Sequence, residues 1–179
     1  MSSVHIQQCG LTLIEMMVAL VIAAILLAVA VPSLQSLVGD SEMTATSNEL
    51  VFSLQTARSE AIKRAEPVAL CPSANSMADE PVCGDDYRDG WIVFVDNDAN
   101  GTRGSDDTLL RQVEKRSAGF VISADEVFKK QVSFDATGAS INPSGVPLSG
   151  QIALDYKSGA EKRSIAIKAN GRIASIANE

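Results

Sequence analysis

Residues 16–31 read MMVALVIAAILLAVAV, and no residue from Met16 to Gly39 carries a charge. Some twenty such residues, rising about 1.5 Å each, match a hydrocarbon layer about 30 Å thick, so the run predicts a helix that can span a bilayer. From Asp40 to Ala65 the pattern becomes periodic. Met43, Leu50, Leu54, Ala57 and Ala61 recur at helical spacing, Val51 and Ile62 widen the stripe, and Ser41, Thr44, Ser47, Asn48, Gln55 and Ser59 fill the other face. Glu60 and Arg64 stand in the favourable i, i+4 order, and Pro67 stops the pattern. The prediction is one helix from Leu11 to Glu66, roughly 80 Å long at that rise. The alternative is a span followed by a separate helix, broken near Gly39. Pro32 removes a backbone bond inside the run and predicts a kink rather than an end, because helical patterning resumes after it.

Beyond Pro67 the period shortens. Val68–Cys71, Trp91–Val95, Leu109–Val113, Phe120–Ile122, Gln131–Phe134, Ile152–Tyr156, Ser164–Lys168 and Arg172–Ile176 are β-rich runs parted by turn residues. The last two flank Asn170-Gly171, a strong hairpin signal since both positions tolerate positive φ. One long helix followed by hairpin-linked strands predicts an α+β lollipop, with residues 40–66 of the helix packed on an antiparallel β-sheet head formed by residues 67–179.

Composition narrows the chemistry. The 179 residues carry a net charge of −7, which argues against a protein that works by neutralising phosphates. The single His is His5, and the three Cys are Cys9, Cys71 and Cys83. If the first ten residues are removed, no imidazole and two thiols remain, which excludes a Ser-His-Asp triad, a Cys-His pair and the usual zinc sets. With no Gly-rich phosphate loop either, an enzyme is not expected, and no catalytic residue is assigned.

A secretory signal would need a basic leader and a small-residue cleavage site after the apolar run, but no Lys or Arg precedes Arg58. Glu15 instead sits at the head of the run, where a carboxylate in lipid is costly. The stretch Gly10-Leu11-Thr12-Leu13-Ile14-Glu15 resembles the prepilin motif of type IV pilins and type II secretion pseudopilins. The resemblance implies a leader over residues 1–10, cut by prepilin peptidase between Gly10 and Leu11 with N-methylation of Leu11. It also implies a membrane and filament-core segment over residues 11–39, in which Glu15 and Pro32 serve assembly. Leu11 replaces the usual Phe, and the leader lacks its usual cation. Glu15 can then neutralise the terminal amine of a neighbouring subunit in a dry helical bundle.

Gly90-Trp91-Ile92-Val93-Phe94-Val95-Asp96, the Asp/Asn/Gly loop after it, Leu109-Leu110-Arg111 and Asn170-Gly171-Arg172-Ile173 resemble the GspH/FimT-like group of minor pilins and pseudopilins. Within the group, the spaced pair Cys71 and Cys83 looks most like that of FimU-type minor pilins. The implied role is a minor pilin of a type IV pilus, near the tip and helping to prime assembly. The alternatives are a GspH-like pseudopilin of type II secretion and a FimT-like DNA-binding minor pilin. The implied partners are other major and minor pilins, contacted through the helix, the peptidase, and the bacterial inner membrane before assembly, with the head in the periplasm. No small-molecule substrate is implied.

Three features of the head stay open at this stage. Cys71 and Cys83 face an oxidising compartment in that topology and predict a disulfide, against two free buried thiols. Asp96, Asp98, Asn100, Thr102 and Asp107 match the oxygen-ligand spacing of a calcium loop, with Gly101 at its sixth place, but strands flank it and Asp/Asn/Gly clusters also make plain hairpin loops. No cofactor is otherwise expected. Lys168 and Arg172 could join a local DNA-binding patch. The second Arg that FimT-like proteins carry after the Gly-Arg pair is absent, so direct DNA binding is not expected.

Overall fold

The computed structural model describes residues 12–156 and 162–178, the side chains of 29, 31–37 and 177–178 excepted. The leader, Gly10, Leu11, the side chain of Pro32 and residues 157–161 lie outside the described residues. The chain forms two compact units, Met1–Val38 and Gly39–Glu179.

Helix α1 (Leu13–Arg64) contributes to both units and includes Pro32 and Gly39. In the first unit its large apolar side chains, where described, are exposed, from Val38 at 50% to Leu13 at 79%. Among the described residues, no helix is long and apolar enough to cross a membrane. The apolar run at 16–31 extends into side chains outside that description.

In the second unit Met43, Leu50, Leu54, Ala57 and Ala61 are all buried, as a single helical stripe requires. Ile62 does not extend that stripe: it is half exposed and shields Gly138 instead. Ser47, placed on the polar face by its spacing, is fully buried with its Oγ 3.4 Å from that of Ser175. The helix ends two residues before Glu66 because Ala65 takes a left-handed conformation (φ 56°), a helix-terminating geometry that also turns the chain ahead of Pro67. Glu60 holds both Lys63 and Arg64 at 2.8 Å in the last turn.

The strands are β1 (Val68–Pro72), β2 (Trp91–Val95), β3 (Leu109–Val113), β4 (Phe120–Ala124), β5 (Val132–Phe134), β6 (Ser140–Ile141), β7 (Gly150–Tyr156), β8 (Lys162–Ile167) and β9 (Ile173–Asn178). They form two antiparallel sheets rather than one, in the orders β3-β2-β1-β5-β6 and β4-β7-β8-β9. Alternate residues of most strands meet α1 in a common core, which includes Val68, Leu70, Trp91, Val93, Phe134, Ile152, Leu154, Ile165 and Ile167. The β1 and β2 residues are buried on both faces because a second cluster, Ala69, Cys71, Ile92 and Phe94, forms behind them with Cys83 and Leu109 against it. The Cys71–Cys83 disulfide sits in that cluster. Closing a loop of this length stabilises by about 3 kcal/mol in the chain-entropy picture.

Arg58 ties α1 to both sheets. Its Nε donates to the Gly138 carbonyl at 3.0 Å and its Nη2 to the Asn170 carbonyl at 3.3 Å, joining the β5–β6 and β8–β9 turns. A side chain at Gly171 (φ 73°) would strike the Gly138 carbonyl, so glycine is required there for space as well as for conformation.

Asp135 organises the β5–β6 turn, accepting from the amides of Thr137 and Ala139 and from the Thr137 hydroxyl through Oδ1. Burial pushes its carboxyl up, but these bonds and the Gly138 amide outweigh it and hold the group below the ordinary range. The native state therefore binds the Asp135 proton less tightly than the unfolded chain does. This contribution to stability is present above the unfolded value and is lost as pH falls through the lower folded one. Asp135→Ala is expected to cost about 1–2 kcal/mol at pH 7, by analogy with a lost cap, and progressively less on acidification. Urea midpoints at pH 7 and pH 3 check it, and a pH-independent penalty would refute the electrostatic account.

Candidate functional site

Two places concentrate the residues singled out by the sequence. At the N-terminus, Thr12 and Glu15 have the spacing of a helix-capping pair. Thr12 Oγ1 accepts from the Glu15 amide at 3.3 Å, and the Met16 amide donates to the Thr12 carbonyl at 3.1 Å. Glu15 lies in the first turn, where the unpaired amides of a helix favour a carboxylate. Gly10, Leu11 and the side chain of Pro32 fall outside the described residues.

In the second unit the structure brings Asp96, Asp98 and Asp107 together, with one carboxylate oxygen of each within 4.8 Å of the others. The loop satisfies these acids itself. Asp96 accepts from the amides of Asn100 (3.1 Å) and Gly101 (2.8 Å), and Asp107 from those of Asn97 (2.9 Å) and Gly104 (2.8 Å). Asn100 donates to both oxygens of Asp98. The two neutral candidates turn to each other, the Asn100 Oδ1 accepting from both the amide and the hydroxyl of Thr102. Gly101 takes φ 80° with Gln131 where a Cβ would stand. Burial pushes the Asp96 carboxyl up to about 6; the Gly101 amide opposes this, while Asp98 and the charge of Asp107 add to it. What the geometry shows is an acidic turn whose carboxylate oxygens already have internal donors.

Arg103, a residue the sequence reading passed over, joins this loop to the disulfide. Its amide donates to Cys83 Sγ at 3.4 Å, and its buried guanidinium donates to the Pro81 carbonyl and pairs with Glu80 at 2.9 Å. The available signal was a single cation inside a run of acids. Lys168 and Arg172 stand exposed on either side of the Asn170-Gly171 turn, whose Gly171 amide donates to the Lys168 carbonyl at 2.7 Å. They are neighbours by virtue of the hairpin and do not approach the acidic loop in sequence or by any described contact.

The model of the family described as type II transport protein GspH matches residues 46–171. The chain belongs to the GspH family. A second model, the prokaryotic N-terminal methylation motif, matches residues 6–31. No curated protein matches the chain. Among solved structures, the Pseudomonas aeruginosa type IV minor pilin FimU is similar in two crystal forms. One, in space group P21, has a TM-score of 0.56 at 21% identity over 78% of this chain and 94% of that one. The other, in space group P65, has a TM-score of 0.54 at 19% identity over 76% and 97%. The fold of this GspH-family chain is thus the pilin fold, an N-terminal helical region with antiparallel sheets. Its class is that of type IV pilin-like minor pilins and pseudopilins.

Proposed function

We propose that this protein is a minor pilin of a type IV pilus, cut between Gly10 and Leu11, methylated at Leu11, and added to the filament near its tip, where it helps to prime assembly. The observation that carries this reading is the helix of the first unit. Behind a capped Glu15 it exposes Leu13, Ile14, Met16, Met17, Leu20, Ile25 and their described neighbours. Such a surface needs lipid before assembly and other helices after it. Pilin partners and the peptidase follow from the same motif.

Mass spectrometry of the membrane-extracted protein tests the processing step. The expected N-terminal residue is N-methylated Leu11; a chain retaining Met1 in cells that contain the peptidase would remove the reading's main support.

The family description favours a second reading, a pseudopilin of type II secretion. Deleting the gene separates the two. Loss of surface pili supports the pilus reading, whereas loss of protein secretion with pili intact supports the other.

A further inference from the structure

The chain holds two Asn-Gly pairs, Asn100-Gly101 and Asn170-Gly171. In such a pair the glycine amide nitrogen can attack the carboxamide carbon of the asparagine, because no Cβ on the glycine hinders the approach. Ring closure then has three needs. A base must take the amide proton, donors must meet the oxygen that gains charge, and the carboxamide nitrogen must be helped to leave.

At Asn100-Gly101 each reacting atom meets the group it needs. The Gly101 amide donates to Asp96 Oδ2 at 2.8 Å, so a carboxylate already faces the proton to be removed. Asp96 is buried, and its other oxygen is fixed by the Asn100 amide at 3.1 Å. Asn100 Oδ1 accepts from the Thr102 amide at 2.6 Å and from the Thr102 hydroxyl at 2.7 Å. Two donors thus converge where negative charge grows, as in an oxyanion hole. Asn100 Nδ2 donates to Asp98 Oδ2 at 2.6 Å, and an anionic acceptor favours the protonated, departing form of that nitrogen. Asn100 and Thr102 are exposed, so water reaches the ring once it has formed.

Asn170-Gly171 is the contrast within the same chain. The Gly171 amide donates to the Lys168 carbonyl at 2.7 Å, an acceptor that takes up no proton at neutral pH. Asn170 Oδ1 accepts one bond, from the Arg172 amide at 3.1 Å. Among the described contacts no carboxylate meets its reacting atoms.

We propose that Asn100 is a self-catalysed modification site, at which the chain converts its own asparagine to aspartate and isoaspartate. Asp96 takes the Gly101 amide proton and that nitrogen bonds to Asn100 Cγ. The bond from Cγ to Nδ2 then breaks, and the nitrogen leaves as ammonia, the proton returning to it through solvent. Water opens the resulting five-membered succinimide at either carbonyl. The sum is asparagine plus water giving the acid plus ammonia, with no oxidant and no cofactor. The product adds a carboxylate to the loop in which Asp96, Asp98 and Asp107 already converge. This chemistry goes beyond the filament reading and does not depend on it.

The full chain in detergent micelles is incubated near neutral pH, and conversion at both pairs is followed by peptide mass spectrometry. Asn100 is expected to convert about tenfold or more faster than Asn170, where one positioned acid–base group can supply about a hundredfold. In urea only the local sequence remains, so the two rates should converge and Asn100 should slow. Thr102→Val removes the hydroxyl donor and should slow Asn100 about tenfold, with Asn170 unchanged, while Thr102→Ser restores the rate. Asp96→Asn removes the base, keeps an acceptor for the Asn100 amide, and should slow Asn100 by about tenfold or more.

The serine rescue separates lost chemistry from a disturbed loop, and the Asn170 rate reports the rest of the fold. Conversion of Asn100 no faster than that of Asn170 in the folded chain overturns the proposal. So does a folded rate no higher than the rate in urea, or a Thr102→Val variant that converts as fast as the wild type.

Discussion

Glu15→Ala is expected to leave the protein in the membrane and keep it out of filaments. In a packed bundle of apolar helices, a carboxylate facing the terminal amine of a neighbour is poorly screened, and removing it leaves that amine as an uncompensated buried charge. Breaking such a pair costs about 3–5 kcal/mol, a loss of more than about a hundredfold in incorporation. The helix itself should survive the change. The Thr12 bond is made to the backbone amide of residue 15, which alanine retains, so the local loss is confined to the interaction with the helix dipole, about 0.3–1 kcal/mol. Thr12→Ala separates the two effects, because it removes the cap and keeps the charge. The ratio of protein in sheared filaments to protein in membranes measures both. Incorporation of Glu15→Ala at the wild-type level would overturn the ion-pair account.

Trp91→Ala should be the most damaging substitution in the second unit, at about 3–5 kcal/mol for deleting a large buried aromatic. Trp91 is fully buried in β2, and its indole donates to Ser53 Oγ at 3.0 Å. That hydroxyl also accepts from Arg111 Nε at 3.2 Å and donates to the Glu49 carbonyl at 2.9 Å. Arg111 in turn pairs with Glu49 at 2.6 Å and lies over the half-exposed ring of Phe52. Losing the indole therefore opens a cavity and slackens the join between α1 and the β3 edge. Trp91→Phe keeps most of the apolar volume and should cost less. Trp91 is the only tryptophan, so urea unfolding has to be followed by circular dichroism. A loss below about 1 kcal/mol for the alanine variant, the range of an ordinary surface change, would contradict this packing.

Much of this was legible in the residues because local period and burial agree. The stripe through Leu50, Leu54 and Ala57 has one arrangement that buries it, and the unbroken apolar run Val68–Cys71 reads as a strand buried on both faces. Ser47 escaped because its partner, Ser175, is 128 residues away, and a lone serine carries no sign of a distant hydroxyl. The split into two sheets escaped for a related reason: β1 pairs with β5 across β2, β3 and β4, and chain order does not encode that. Ser140–Ile141 is too short a strand to show a period at all. In the acidic loop the spacing of Asp96, Asp98 and Asp107 gave their convergence, but not the amides that meet them. Those amides come from a backbone path set by Gly101 and by Arg103 against the disulfide.

The cap at Thr12 bears on maturation. A cut between Gly10 and Leu11 would fall two residues upstream of the hydroxyl that receives the Glu15 amide. The peptidase could then trim the precursor without fraying the coil behind its blade, delivering a subunit whose first turn is already wound when it is drawn from the bilayer.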